Sequence, residues 1–324
     1  MSEAPVRLAI SAGDPGGIGP EVLAKALASM DRRGMKLTVF GPECVLADEY
    51  AKAGLAMDQV ETVDVPLEAF GWQAGKASKA GGTAARLALA AAVAHVKAGL
   101  SDALVTLPID KATIYSDAFP YAGHTEYLAA EWATRVLMLM VHEPEGLRVG
   151  LVTSHVPLSE VTALITTERV VERLKQLHQC LQNDFGIAAP RMAVLGLNPH
   201  AGDEGLLGTE EISSIIPALK QAVAEGMDVR GPYAADGFFQ YQRYREVDGV
   251  LAMYHDQGLA PFKAIAGGRG VNFTAGLPIV RTSPDHGTAY DLVGKNVADF
   301  GSTVDAIELA VSLVRRRRTK STKR

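Results

Sequence analysis

Short apolar runs alternate along the chain with longer stretches in which apolar residues recur every three or four positions. The runs VRLAISAG (Val6 to Gly13), KLTVFG, DALVTLPI, RVLMLMV, LRVGLVTSH, RMAVLGLNPH and DGVLAMYH read as strands, several of them apolar enough for burial on both faces. Helical patterns intervene. One starts near Pro20 with EVLAKALASM, and an Ala-rich one, GGTAARLALAAAVAHVKAG, ends at Gly99. Others span Glu168 to Asn183 and about Thr209 to Glu225, and a last helix begins at Ser302 with Asp305 at capping-box spacing. This alternation predicts an α/β fold with a mostly parallel sheet covered by helices on both faces. A length of 324 residues suggests two domains, although no repeat or low-complexity linker marks a boundary.

Composition removes some function classes. Lys plus Arg is 32 and Asp plus Glu is 37, a net charge of −5, so nothing favours nucleic acid. The one basic cluster, RRRRTKSTKR (Arg315 to Arg324), reads as a solvated tail capping the last helix. No apolar run approaches the roughly 18 residues of a membrane span, and the first residues lack the pattern of a secretory leader. The two cysteines, Cys44 and Cys180, show no metal spacing and fit a reducing cytoplasm.

Three of the eight histidines share a context. His155 ends LRVGLVTSH, His200 ends RMAVLGLNPH and His255 ends DGVLAMYH, each ahead of a loop with proline or glycine. Ligands of open α/β sheets sit beyond the carboxyl ends of the strands. One histidine there is commonly a satisfied hydrogen-bonding residue. Three in one context point to a divalent metal held by imidazoles with a position open to substrate. His95 and His178 read as structural or surface residues and His142 as a turn residue. His124, at a helix start in YAGHTEYLA, and His286, in SPDHGTAYD, are open to either reading.

Two glycine-rich segments carry further candidates. SAGDPGGIGPE is a strand-to-helix turn of the kind that approaches a phosphate, but it has neither GxGxxG spacing nor a P-loop lysine. In FKAIAGGRGVNFTAGLPIVRTSPDHGT, a segment of loop character, Lys263, Asn272 and Arg281 could clamp a phosphate. Lys111, after VTLPID, is a candidate acid/base or anion contact, or a structural ion pair.

GDPGGIGPE, GHTEYLA, GLNPHAGDEG, MYHDQGLAPFK and GVNFTAGLPIVRTSPDHGTAYD, in this order, closely resemble the PdxA family of 4-hydroxythreonine-4-phosphate dehydrogenases from about Leu8 to Val314. The resemblance implies an isocitrate/isopropylmalate dehydrogenase-like fold. It would have two α/β domains, residues 1–127 plus 283–324 and residues 128–282, with mostly parallel sheets and a cleft between them. It implies a homodimer whose active site is shared across the interface. One divalent metal (Zn, Co, Mn or Mg) would be held by His155, His200 and His255, one of them contributed by the second subunit. Substrate would meet His124, Thr125, Lys263, Asn272 and Arg281. DHGTAYDLVGKNVAD resembles an adenosine-binding loop, which places NAD or NADP near Asp14, His286, Gly287, Thr288 and Asp291. The chain departs from the family in having Asp110 rather than asparagine before Lys111, and that carboxylate could pair with the lysine.

The implied reaction is oxidation of 4-phosphooxy-L-threonine at C3 with decarboxylation to 3-amino-2-oxopropyl phosphate, a step of pyridoxal 5'-phosphate synthesis. Lys111, Asp236 and Asp256 are the candidate acid/base groups, and Asp256 could instead orient a metal ligand. A relative's reaction on 4-phospho-D-threonate or 4-phospho-D-erythronate is the nearby alternative. Leu259, Ala260 and Pro261 after HDQG favour the vitamin B6 enzyme. A metal-dependent acyltransferase or hydrolase is the alternative from another class.

Overall fold

Aliphatic and β-branched runs, cut short by glycine, proline and polar residues, form eleven strands among the residues that the computed structural model describes, 4–68 and 70–322. They are β1 (Val6–Ser11), β2 (Met35–Gly41), β3 (Glu61–Asp64), β4 (Ala103–Thr106), β5 (Leu137–His142), β6 (Leu147–Leu151), β7 (Arg191–Leu195), β8 (Asp228–Tyr233), β9 (Gly249–Ala252), β10 (Val271–Ala275) and β11 (Val280–Pro284). The chain divides into two compact units, Met1–Thr134 with Leu277–Arg324, and Arg135–Gly276.

In the first unit the strands lie in the order β3-β2-β1-β4-β11, every neighbouring pair parallel. The Ala-rich helix spans Lys79–Lys97, and Ser78 caps it by accepting the Gly81 N–H. Its buried face is mostly alanine and glycine, so backbone can approach closely. Gly82 lies so near Thr113 that a Cβ there would be 2.4 Å from its carbonyl group. That contact seats the short helix Lys111–Ile114, whose first turn is capped by the Asp110 carboxylate accepting from Thr113 N–H at 2.8 Å.

The last helix begins at Gly301, one residue before the expected start, and Asp299 accepts the Gly301 N–H at 2.6 Å. Its arginines are not simply a solvated tail. Arg318 donates to the carbonyl of Ala4 and to Asp102, each at 2.8 Å. Asp102 also takes Arg7 at 2.7 Å, and Arg317 donates to the carbonyl of Pro278 at 3.0 Å. The basic run thus clips the helix to the first strand, and only its final Lys323 and Arg324 lie outside the described residues.

In the second unit the order is β10-β5-β6-β9-β7-β8. β5 runs antiparallel to β6 and β10, and β6, β9, β7 and β8 are mutually parallel along the row. Phe262 of the helix His255–Ala266 is fully buried in a core with Met140, Val149, Leu151, Ala193 and Val250. The helix lies tightly on the sheet because of Gly258, where a Cβ would sit 2.8 Å from Leu151 and 3.0 Å from Val149. Gly258 is therefore a helix-packing residue inside the helix.

Some expectations change here. Lys263 lies on that helix, Asn272 on β10 and Arg281 on β11, so the segment expected to be loop is one helix and two strands. Both strands place polar residues in buried positions (Thr274, Arg281, Thr282 and Ser283), which breaks the apolar pattern. The edge strand β8 was invisible because its exposed positions carry charge. His142 ends β5 rather than lying in a turn, is buried, and its Nδ1 is 3.3 Å from the carbonyl of Arg269. Neither cysteine is in a disulfide, Cys44 being exposed and Cys180 buried, and no described helix is long and apolar enough to cross a membrane.

Gly82→Ala is expected to cost about 1–3 kcal/mol, because the methyl group meets backbone that cannot rotate away. Urea unfolding reads this as a lower midpoint with unchanged slope, and an unchanged midpoint would refute the close packing.

Candidate active site

Parallel strands present their carboxyl ends to one edge, and β6, β9 and β7 are adjacent. The segments that follow them carry His155, His255 and His200 respectively. The strands stop three to five residues before the histidines, so loop and helix geometry aims the rings. Val152 N–H donates to the carbonyl of Ala252 at 2.8 Å. Thr153 donates both its N–H (3.1 Å) and its hydroxyl (2.8 Å) to the carbonyl of Met253. These bonds prolong the β6–β9 pairing toward His155 and His255, whose ring centroids are 5.8 Å apart. His255 opens its helix, and its Nδ1 lies 2.7 Å from Asp256 Oδ1, leaving Nε2 for another partner. Asp256 is 85% exposed, so in water this pair by itself contributes little to stability. It orients the ring.

His200 is held differently. Residues His200–Glu204 all have φ between 42° and 83°, a left-handed turn. Four of the five carry side chains, and each such residue costs about 1–2 kcal/mol relative to the right-handed form. His200 lines an open cavity of about 510 Å³ with Asp236, Tyr254, Asp256 and Gln257. His155 and His255 line a second, of about 340 Å³, which shares Tyr254 and Asp256 with the first. His155 and His255 thus lie side by side within one chain, while His200 lines the neighbouring cavity. No set of three His, Cys, Asp or Glu among the described residues is close enough to hold a metal alone.

Gln257 ties these segments together. Its side-chain carbonyl accepts Met253 N–H at 2.7 Å, and its amide donates to the carbonyl of Gly196 at 2.6 Å. Lys263 is exposed, and Asn272 keeps its Oδ1 buried with no hydrogen-bond partner among the described residues.

In the first unit, Arg281 is 1% exposed and donates to the hydroxyl of Thr106 from Nη2 at 2.6 Å and from Nε at 3.2 Å. Burial pushes its guanidinium down to about 9, with Glu126 opposing the shift, so it remains a cation at neutral pH. His124 and Thr125 start the helix His124–Glu131. The Nε2 of His124 is buried without a hydrogen-bond partner. Burial, then Arg281 and Lys111, hold its imidazole well below its ordinary range and so neutral. Lys111 is exposed, and Asp110 is turned back onto its helix cap rather than onto the lysine. The expected Asp110–Lys111 ion pair is therefore not formed, since the N-terminal amides of the short helix capture the carboxylate.

Asp14 and the segment from His286 to Asp291 do come together. Fully buried Asp14 accepts Gly16 N–H and the Tyr290 hydroxyl, both at 2.8 Å, and burial raises its pKa. Ile18 N–H donates to the carbonyl of Thr288 at 2.9 Å. The glycines of this turn serve close approach of the protein's own backbone. A Cβ on Gly16 would meet the Lys76 carbonyl at 2.7 Å, and one on Gly17 the Thr288 carbonyl at 2.8 Å. His286 Nδ1 faces its neighbour's carbonyl (Gly287, 3.0 Å), while Nε2 is buried without a hydrogen-bond partner. Asp14 therefore braces the segment rather than offering a free carboxylate. Sequence reasoning missed Thr106, Glu126 and Gln257 as site residues. Gln257 and Glu126 had a signal, their places in HDQG and GHTEYLA.

The sequence profile described as pyridoxal phosphate biosynthetic protein PdxA matches residues 18–310. A 4-hydroxythreonine-4-phosphate dehydrogenase of Burkholderia vietnamiensis is 45% identical, covering 98% of this chain and 99% of its own. One from Bacteroides thetaiotaomicron is 42% identical over 100% of this chain and 93% of its own. The crystal structure of 4-hydroxythreonine-4-phosphate dehydrogenase from Klebsiella pneumoniae superposes with a TM-score of 0.83 at 32% identity, covering 97% of this chain and 99% of that one. With its α/β architecture and its histidines at the ends of adjacent parallel strands, the chain belongs to the PdxA family of pyridoxal phosphate biosynthetic proteins, and it is an oxidoreductase of that pathway.

Proposed function

We propose that the protein oxidises 4-phosphooxy-L-threonine at C3 with NAD or NADP and a divalent metal, releasing CO2 and 3-amino-2-oxopropyl phosphate. The observation that carries the metal is the pair His155 and His255, 5.8 Å apart at neighbouring strand ends, with His255 Nδ1 on Asp256. A ligating histidine characteristically gives its other ring nitrogen to a carboxylate, and among zinc, cobalt, manganese and magnesium neutral imidazoles favour zinc. His155, His200 and His255 would hold the ion, one of them supplied by the second subunit of a homodimer. Exposed apolar side chains flanking these histidines, Leu158 on one side and Leu206, Leu207 and Ile212 on the other, support that assembly. The metal, when bound, supplies Lewis-acid stabilisation of negative charge on substrate oxygen. The dinucleotide, bound near His286, Gly287, Thr288 and Asp291, supplies the hydride acceptor.

The chain's own groups do the rest. Arg281 keeps a buried positive charge for an anionic substrate group, and His124 Nε2 and Thr125 offer hydrogen bonds beside it. In the second unit, Lys263 and Asn272 offer a cation and an amide for substrate. Asp256 is occupied with His255, which leaves Lys111 and Asp236 as acceptors of the C3 hydroxyl proton.

Offering each substrate with NAD and metal and following NADH absorbance tests the assignment. Faster turnover of 4-phospho-D-threonate than of 4-phosphooxy-L-threonine overturns it. Absence of NAD binding in calorimetry, with metal and substrate present, would point to an acyltransferase or hydrolase instead. His200→Ala and His255→Ala are each expected to abolish turnover with the circular dichroism spectrum retained. Near-normal activity without bound metal in either variant would remove the triad. His124 gives a pH signature. Its folded pKa is depressed, so stability is complete above the unfolded value of about 6.5 and falls as pH drops below it. The slope reaches up to about 1.4 kcal/mol per pH unit for one proton. His124→Asn is expected to flatten that fall in urea denaturation between about pH 7.5 and 5.5. An identical slope in both proteins would mean that the imidazole protonates in the folded state.

A further inference from the structure

We propose that Glu211 is a positioning residue for His200, setting the left-handed turn that presents this imidazole. Glu211 is 2% exposed and lines neither cavity itself, but it holds Leu197 and Asn198, which line the larger cavity beside His200. Its carboxylate is turned to the chain just ahead of His200. Oε1 accepts the N–H groups of Leu197 and Asn198, both at 2.7 Å. Oε2 accepts the side-chain amide of Asn198 at 2.9 Å, and that amide also donates to Glu210 at 2.7 Å.

The space for this carboxylate is cleared by glycine on two sides. A Cβ on Gly202 would lie 2.7 Å from Glu211 Oε2, and one on Gly196 would lie 3.0 Å from Oε1 and 2.8 Å from Ala201. Gly202 is the middle residue of the left-handed turn, so the carboxylate fills the hollow around which the turn winds. Glu211 starts a π-helical turn, Glu211–Ile215, a local widening that recurs at functional sites. Both ends of that turn, Glu211 and Ile215, face inward and are buried.

A turn of side-chain-bearing residues at positive φ does not persist from its own preferences, and something outside it must over-determine it. Here the N–H groups of residues 197 and 198 are taken by Glu211, while the carbonyl of Gly196 is taken by Gln257, two residues after His255. The chain entering the turn is thus gripped on both its donor and acceptor sides. The grip links His200 to the helix that carries His255. Replacing the carboxylate by a methyl group leaves two amides without acceptors and the hollow empty, so the turn relaxes and His200 swings out of register.

This inference rests on the reading of His200 as a metal ligand for its consequence, but not for its geometry, and the test separates the two. In metal-free protein, hydrogen–deuterium exchange of the segment 196–208 is measured for the wild type, Glu211→Ala and Glu211→Gln. The alanine variant is expected to exchange faster there with β6 and β9 unchanged. The glutamine variant, which keeps an acceptor for the two amides, is expected to restore protection. In parallel, zinc is titrated calorimetrically and Co2+ is followed by its visible absorption. Zinc affinity in Glu211→Ala is expected to fall about 10- to 100-fold, with an altered Co2+ spectrum, and to recover in Glu211→Gln. Should the alanine variant lack a folded core, Asn198→Ala, which keeps both main-chain N–H bonds to Oε1 and removes the side-chain amide from Glu211 Oε2 and from Glu210, is read in the same two assays with a smaller change expected. Unchanged exchange over 196–208 in Glu211→Ala overturns the grip. Faster exchange with unchanged zinc affinity overturns the positioning role. A wild type that binds no zinc overturns the metal reading, while the exchange result still decides what Glu211 does to the turn.

Discussion

The alignment of three parallel strands, β6, β9 and β7, is the constraint on which the histidine site depends. A parallel ladder fixes where each strand stops relative to its neighbours, and here it continues past the strands themselves. Thr153 holds the carbonyl of Met253 through both its N–H and its hydroxyl, and Gln257 joins Met253 to Gly196. Each of these bonds lies within a few residues of a histidine. Their direction matters more than their energy, since one neutral hydrogen bond contributes only about 0.5–1.5 kcal/mol. A slip of one residue in either ladder would turn the strand's buried side chains to the other face of the sheet and displace the segment that carries the histidine.

The remaining burial follows a division between what is satisfied within the chain and what is left for a ligand. Asp14 is enclosed and accepts from Gly16 and Tyr290, so it braces the glycine turn. Arg281 is enclosed beside a neutral threonine, and burial lowers its pKa without removing its charge at neutral pH. Nearby, His124 Nε2 is buried with no hydrogen-bond partner. Unsatisfied buried polar atoms are costly in a structural core, which is why this one supports the proposed substrate contact.

Legibility in the sequence followed burial pattern. β1, β2, β4 to β7 and β9 were readable because their apolar runs match a strand with both faces covered. β10 and β11 were not, since Asn272, Thr274, Arg281 and Thr282 interrupt the run, and the burial of Arg281 and Thr282 is made tolerable by their bonds to Thr106 and the Ala306 carbonyl. The helix His255–Ala266 was hidden by Gly258 and Pro261, and Gly258 is favourable there because the sheet lies so close. Histidine context pointed to the ends of β6, β7 and β9, which the sheet makes neighbours. Spacing could not foresee that Asp110 would cap its own helix, or that Glu211 would enclose the loop before His200.

The sequence by itself determined the class of fold and the family, because periodicity and contiguous motifs are local and survive without coordinates. Tertiary structure alone decided which strands are neighbours, which carboxylate faces which amide, and which buried groups keep an unfilled hydrogen bond. These depend on contacts between residues far apart in the chain, Thr106 with Arg281 and Gly196 with Gln257 among them, and no local pattern encodes such a contact.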